Sequence, residues 1–323
     1  MKNFISLFSG GGGSSLGFQR AGFKELLAVE WDKNAIECLE ANFPKLPLWT
    51  HDICDLSVAQ ILARTGIQPR ELDLLEGSPP CQGFSTANRF GSPLDSRNFL
   101  FREFNRILVG LQPKSFVMEN VPSMSQGAHK QTFLDCLALL RESGYVVKCA
   151  EINAKFYNVP QARKRLFFIG IRNDIGVQPS FPPPLDYVIP LKKAFQGVTD
   201  NNGREFPQWL KEAANLMEPG NYSRENAVNA FMRVKGNWTS APSFMLLSWE
   251  RYACTLTKTW RFPGGLGHPC RERYLSLQEL KRISSFPDSY FFPGKFEHAL
   301  ARMGNCVPPK MAEAIGRHLW TLI

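Results

Sequence analysis

Short apolar runs that alternate with stretches of helical length constrain this 323-residue chain more than any other feature. The runs at 3–8, 25–30, 46–53, 72–76 and 115–121 read as strands. The segments between and after them, at 14–21, 32–42, 57–65, 95–111 and 131–143, read as helices, with Asp32 and Asp95 as N-caps. Two last strands are expected at 145–154 and 165–172. Strands separated by helices of about 10–15 residues predict an α/β fold with a parallel, doubly wound sheet. Ligands of such sheets bind beyond the carboxyl ends of the strands, so the residues at those ends carry the functional question.

The pattern breaks near residue 173. Gln178-Pro179-Ser180-Phe181-Pro182-Pro183-Pro184 reads as a rigid connector. From there to about Cys270 no clear period is visible, only β-like pieces at 243–248 and 253–259. The expected organisation is a first domain over 1–175, completed by about 300–323, and a smaller, irregular, β-rich domain over 176–272. A connecting helical segment follows over 273–299, with helical signal at 276–285 and again at 309–322.

With 44% apolar residues the chain can bury a sizeable core, yet no run approaches the ~20 residues a membrane helix needs. The N-terminus runs into glycines with no signal-peptide core, so a cytoplasmic protein with no membrane partner is expected. The eight cysteines have no Cys-x-x-Cys spacing and read as reduced thiols, one of them a candidate nucleophile. His268-Pro269-Cys270 finds no second ligand pair, so no metal is expected. The net charge of +9 favours a polyanionic partner, although a solvated basic surface gives the same number.

The strand ends are more specific. Phe8-Ser9-Gly10-Gly11-Gly12-Gly13-Ser14-Ser15 joins the first strand to the first helix, where glycines let a ligand approach the helix N-terminus. The dinucleotide pattern fails, because its third glycine falls on Ser15 or Leu16, and no Gly-Lys-Ser/Thr phosphate loop follows. Glu30 ends the second strand where an acid takes ribose hydroxyls, Trp31 offers a ring for stacking, and Asp52 can accept from an exocyclic amine. Together these suit an adenosine-containing cofactor without a pyrophosphate; a turn that is only a turn is the alternative.

Gly77-Ser78-Pro79-Pro80-Cys81-Gln82-Gly83-Phe84-Ser85 follows the fourth strand. Paired prolines fix the backbone, so the thiol of Cys81 is held at a defined point facing the crevice, where a small buried cysteine is the competing reading. Residues 82–94 have the make-up of a lid. Glu119, in Glu119-Asn120-Val121-Pro122, should emerge from an apolar wall suited to a general acid, or else be ion-paired. In Gln161-Ala162-Arg163-Lys164-Arg165, the two outer arginines should share one face of an extended chain, where guanidinium forks suit phosphate or carbonyl oxygens.

On these stretches, with Glu30-Trp31-Asp32, Asp52-Ile53, Asp95-Ser96-Arg97, 273–290 and Met303-Gly304-Asn305-Cys306-Val307, the chain resembles the cytosine-C5 DNA methyltransferases of the bacterial restriction–modification type. The resemblance covers nearly everything outside about 175–270. It implies a Rossmann-like mixed sheet and a target-recognition domain. It also implies S-adenosyl-L-methionine held by Phe8, Ser9, Gly10, Gly12, Glu30, Trp31, Asp52, Ile53, Ser78, Pro80, Leu100, Asn305 and Cys306. Cys81 would be the nucleophile adding to C6 of a flipped-out cytosine, Glu119 the acid at N3, and Arg163 and Arg165 positioning groups. Double-stranded DNA would be the partner, touched by Gln82, Ser85 and Arg97 near the crevice. In the target region Arg233, Lys235, Asn237, Trp238, Arg251, Lys258 and Arg261 are candidate contacts. A monomer is expected, either paired with a restriction endonuclease acting on the same site without a stable complex or working alone. A tRNA methyltransferase on the same scaffold and a catalytically silent DNA-binding homologue are the rivals. Four positions depart from the resemblance: Ser6 where an acid is common, Asn158 for glycine, Arg302 for glutamine and Cys306 for serine.

Overall fold

The computed structural model describes residues 1–80, 100–236 and 243–323. They divide into two compact units. One holds Met1–Asn153, Lys164–Pro183 and Met311–Ile323; the other holds Ala154–Arg163 and Pro184–Lys310.

In the first unit, β1 (Asn3–Leu7), β2 (Lys24–Val29), β3 (Leu48–Trp49), β4 (Leu74–Gly77), β5 (Ser115–Asn120), β6 (Tyr145–Asn153) and β7 (Lys164–Arg172) form one sheet ordered β3-β2-β1-β4-β5-β7-β6. Helices α1 (Gly13–Arg20), α2 (Lys33–Asn42), α3 (Val58–Thr65), α4 (Leu100–Leu111) and α5 (Lys130–Glu142) lie between the strands in sequence. The first five strands pair in parallel, while β7 runs antiparallel to both β5 and β6. This is the doubly wound sheet that the alternating pattern predicts, but mixed, as the resemblance implies, rather than wholly parallel. The N-cap expected at Asp32 forms, its side chain accepting from the Ala35 amide at 3.0 Å. The cap expected at Asp95 lies outside the described residues.

Period-two alternation sorts the strand residues between two faces. Ile5, Leu7, Leu75, Phe116, Met118 and Phe168 pack with Phe104, Ile107 and Leu108 of α4 and Leu140 of α5. On the other face Phe4 meets Phe18 and Phe23, and Phe23 meets Trp320 of the C-terminal helix. Sheet packing is close enough that a Cβ on Gly170 would stand 2.0 Å from its cross-strand partner Phe116. A register shift between β1 and β2 turns Glu25 toward α1, where its carboxylate accepts from Ser15 and Gln19. Burial pushes that carboxyl up to about 7, against those two bonds.

The second unit contains α6 (Leu191–Ala194), α7 (Gln208–Leu216), α8 (Arg224–Lys235), β8 (Phe244–Leu246), β9 (Gly265–Gly267), α9 (Leu277–Ile283), α10 (Phe296–Asn305) and the first residues of α11 (Pro309–Leu322). The β-rich character expected for this region is corrected: its described strands are two parallel pieces of three residues, and 253–259 holds only an isolated bridge from Ala253 to Gln161. Helices build the core instead. Leu210, Ala213 and Ala214 of α7 pack on Ala227, Ala230 and Phe231 of α8, with Phe206, Phe244 and Tyr274. The buried face of α8 is mostly alanine, which blunts the apolar period a sequence reading needs. Helix α10 also went unread.

Ser276 and Glu279 form a capping box at the start of α9. Glu279 is buried, takes two bonds from Arg273, and lies 3.2 Å from Nε2 of His268. Burial acts to raise this carboxyl, but the bonds from Arg273, His268 and the Ser276 amide outweigh it and hold the group down at about 2. Among the described residues, no helix is long and apolar enough to cross a membrane.

Candidate active site

The turn from β1 to α1 alternates in hand. Phe8, Gly10 and Gly12 have φ of +58°, +55° and +78°. Such alternation curls successive amides toward a common concavity suited to an anion. A phenylalanine in this conformation is strained, and only Gly is at ease there. Two contacts hold the turn. Ser9 donates its amide to Val29 O at 3.1 Å, and its hydroxyl accepts from Ser6 Oγ at 2.7 Å. Ser9 is thereby engaged in the scaffold, and its neighbours are left to face a ligand. Gly12, at the N-cap of α1, has no side chain to satisfy the first amides of the helix, which leaves a ready seat for a carboxylate.

Glu30 is fixed by three backbone donors: Gly10 to Oε2 at 2.7 Å, and Trp31 and Asp32 to Oε1 at 2.9 and 2.8 Å. Each carboxylate oxygen has two acceptor sites, so Oε1 is filled and Oε2 keeps one site for a hydroxyl. Trp31 is 69% exposed, a large ring with little packed on it. Asp52 caps the short turn after β3 by accepting from the Cys54 amide, with Ile53 buried beside it. Ser78 continues β4 by donating to Leu7 O at 3.3 Å, and half-buried Leu100 opens α4. These strand ends fit an adenosine joined to an amino acid: an anchored acid for ribose, an open ring for the base, and a helix start without a side-chain cap for a carboxylate.

A second cluster forms where β5 ends and β7 begins. Arg165 Nε meets Glu119 Oε1 at 2.8 Å, with the side chains 13% and 9% exposed. Glu119 is thus buried and ion-paired at once. The next residue, Asn120, donates from Nδ2 to Pro79 O at 3.3 Å and takes the Val121 amide on Oδ1. It ties the end of β5 to the diproline corner. The sequence assigns Asn120 no role, and its one signal there is an amide directly following a strand-end acid. Cys81, Gln82, Ser85 and Arg97 lie outside the described residues, as do Asn237 and Trp238.

Arg163 does not share the surroundings of Arg165. It is 1% exposed within the second unit, donating to Leu256 O at 3.2 Å and Gly304 O at 2.7 Å. Gly304 is itself required, because a Cβ there would stand 2.6 Å from the Lys258 backbone. Asn305 is exposed, and the Cys306 thiol donates to Met303 O at 3.1 Å, the bond a serine hydroxyl would make. Arg233, Lys235, Arg251, Lys258 and Arg261 are all exposed. Lys235 lies 4.9 Å from the Trp209 ring and Arg251 5.9 Å from that of Tyr222.

Comparison with known proteins converges on one family. A family model described as C-5 cytosine-specific DNA methylase matches residues 2–321. Type II methyltransferase M1.HphI of Haemophilus parahaemolyticus is 35% identical over 97% of this chain and 85% of its own. Type II methyltransferase M.NgoPII of Neisseria gonorrhoeae is 31% identical over 96% and 93%. The crystal structure of a putative DNA modification methyltransferase encoded within an E. coli prophage matches with a TM-score of 0.75 at 27% identity, covering 100% of this chain and 99% of that one.

Proposed function

The chain belongs to the C-5 cytosine-specific DNA methylase family, a DNA cytosine-5-methyltransferase using S-adenosyl-L-methionine, and from that premise we propose how its own residues act. The substrate is cytosine in a specific duplex sequence, and the genetic setting a restriction–modification system, with the cognate endonuclease acting on the same site without a stable complex. The target-recognition function is assigned to about 176–272, and the protein acts as a monomer.

The cofactor supplies an electrophilic methyl group. Cytosine C5 is too weak a nucleophile to take it unaided. The thiolate of Cys81 adds to C6, forming an S–C6 bond and moving the ring's π electrons toward C5. Glu119 shares a proton with N3 and so limits the charge that builds on the ring. C5 then takes the methyl group, the sulfonium departing as a neutral thioether; the C5 proton passes to water, and its electron pair restores the double bond as the S–C6 bond breaks and returns the Cys81 thiolate. A free thiol is only a few per cent ionised at neutral pH, so the attack gains from a cation, a role we assign to Arg165 alongside its orientation of Glu119. None of these ring atoms is reachable in stacked duplex, so the base must be flipped out, at a few kcal/mol.

The observation carrying this reading is the buried Glu119–Arg165 pair, tied through Asn120 to the carbonyl of Pro79, two residues before Cys81. Incubation with methyl-labelled cofactor and duplex DNA, followed by bisulfite sequencing, tests it. Label should appear at cytosines of one sequence, and Cys81→Ala should abolish it while cofactor binding persists. Label in tRNA alone, or turnover by Cys81→Ala, overturns the reading.

A further inference from the structure

One buried acid plays no part in the chemistry above. Glu76 lies on β4, directly across the sheet from Ser6 of β1 and beside Val117 of β5. It is 3% exposed, and its Oε2 is buried with no hydrogen-bond partner among the described residues. By strand alternation it faces α1, where it contacts the hydroxyl of Ser14 as well as that of Ser6. Ser6 in turn holds Ser9, the first residue of the glycine turn. Glu76 therefore lies beneath the segment that seats the cofactor. The charged or titratable groups facing it are Glu25 of β2 and Glu119 of β5, the latter paired with Arg165 of β7.

Two of these neighbours are acids, and the orphaned oxygen lies in a dry site. Both features favour a neutral carboxyl. Burial first, then Glu25 and Glu119, push Glu76 up to about 8, against the contacts with the hydroxyls of Ser14 and Ser6. A sulfonium cofactor brings a fixed positive charge to the turn above, whereas the thioether product does not. At an effective dielectric of ~20, a unit charge ~10 Å away shifts a protonation equilibrium by on the order of tenfold.

We propose that Glu76 is a positioning residue that holds a proton beneath the cofactor turn in the free protein and releases it to solvent when the methyl donor binds, so that donor and demethylated product are told apart by charge. The inference rests on the reading that the β1–α1 turn carries the cofactor.

Calorimetric titration of the whole protein at pH 7.5, in two buffers of different ionisation enthalpy, counts the protons released. Wild type should release more protons than Glu76→Gln when S-adenosyl-L-methionine binds, and the two should release equal numbers with S-adenosylhomocysteine. Protons leaving the ligand's own amino group cancel in that comparison. Raising the pH from 6 to 9 should improve the preference for donor over product in wild type by on the order of tenfold more than in the variant. Glu76→Met, which also cannot titrate, should match Glu76→Gln. Equal proton counts for wild type and both variants on donor binding overturn the proposal. Glu30→Ala separates the two readings: undiminished donor affinity removes the pocket itself, whereas a Glu30-dependent affinity with equal proton counts removes only the role of Glu76.

Discussion

Replacing Glu76 by glutamine should make the protein more stable, and increasingly so as the pH rises. In the folded protein burial and the neighbouring acids push the carboxyl up from an ordinary value of 4.5 to about 8. In the unfolded chain it ionises freely. Below pH 4.5 both states hold the proton and the group imposes no penalty. As the pH rises further, the unfolded chain gains from releasing a proton that the folded protein keeps, at ~1.4 kcal/mol per unit. The accumulated loss reaches roughly 4–5 kcal/mol once the pH passes the folded value. Glutamine keeps the shape and cannot titrate, but its amide leaves a buried group unsatisfied, at about 1–2 kcal/mol. The variant should therefore be equal to or slightly less stable than wild type at pH 5, and more stable by roughly 2–4 kcal/mol at pH 8.5. For a chain of this size that is a rise of roughly 5 °C in melting temperature. Thermal unfolding of both proteins across pH 5–9 reads the difference, to which the relief of Glu25 from its acidic neighbour adds with the same sign. Melting curves that stay parallel over that range would refute the buried, proton-holding carboxyl.

Arg165→Leu leaves Glu119 buried without its cation, and should lower stability by about 3–5 kcal/mol and methyl transfer at least about 100-fold. Cofactor affinity should be retained, and a wild-type transfer rate would dismiss the pair from the mechanism. Gly304→Ala forces a methyl group into the Lys258 backbone and should cost about 1–3 kcal/mol; an unshifted melting temperature would mean that the neighbouring segment yields. Arg273→Met strips Glu279 of its main partner, with an expected loss of about 3–5 kcal/mol at pH 7. The folded value of Glu279 is lowered, so its contribution is present above 4.5 and fades as the pH falls toward about 2. Denaturant unfolding at pH 7 and pH 3 should show the gap narrowing in acid.

What the sequence made legible was local. Strand-to-helix alternation, the Asp32 cap and the order of the strand-end motifs depend on residues a few positions apart, and these the fold reproduces. Arg163 was not legible in the same way. Its acceptors are the carbonyls of Leu256 and Gly304, 93 and 141 residues away, and no spacing rule reaches that far. Helices α7 and α8 escaped because Ala213, Ala214, Ala227 and Ala230 supply much of their buried face, and alanine is a weak hydrophobic signal. Glu76 escaped for the opposite reason. It ends an apolar run that reads as an ordinary strand, and only the parallel register with Ser6 reveals an acid with a dry oxygen.

Because β7 travels against its neighbours, its opening residues rather than its closing ones reach the edge where β5 delivers Glu119. The chain thus arrives at Arg165 directly from 154–163, a short strip of the second unit. Only Lys164 separates an arginine locked into that unit from the one gripping the acid. Fraying at the entry of β7 should therefore loosen the grip on Glu119 before it disturbs the rest of the sheet.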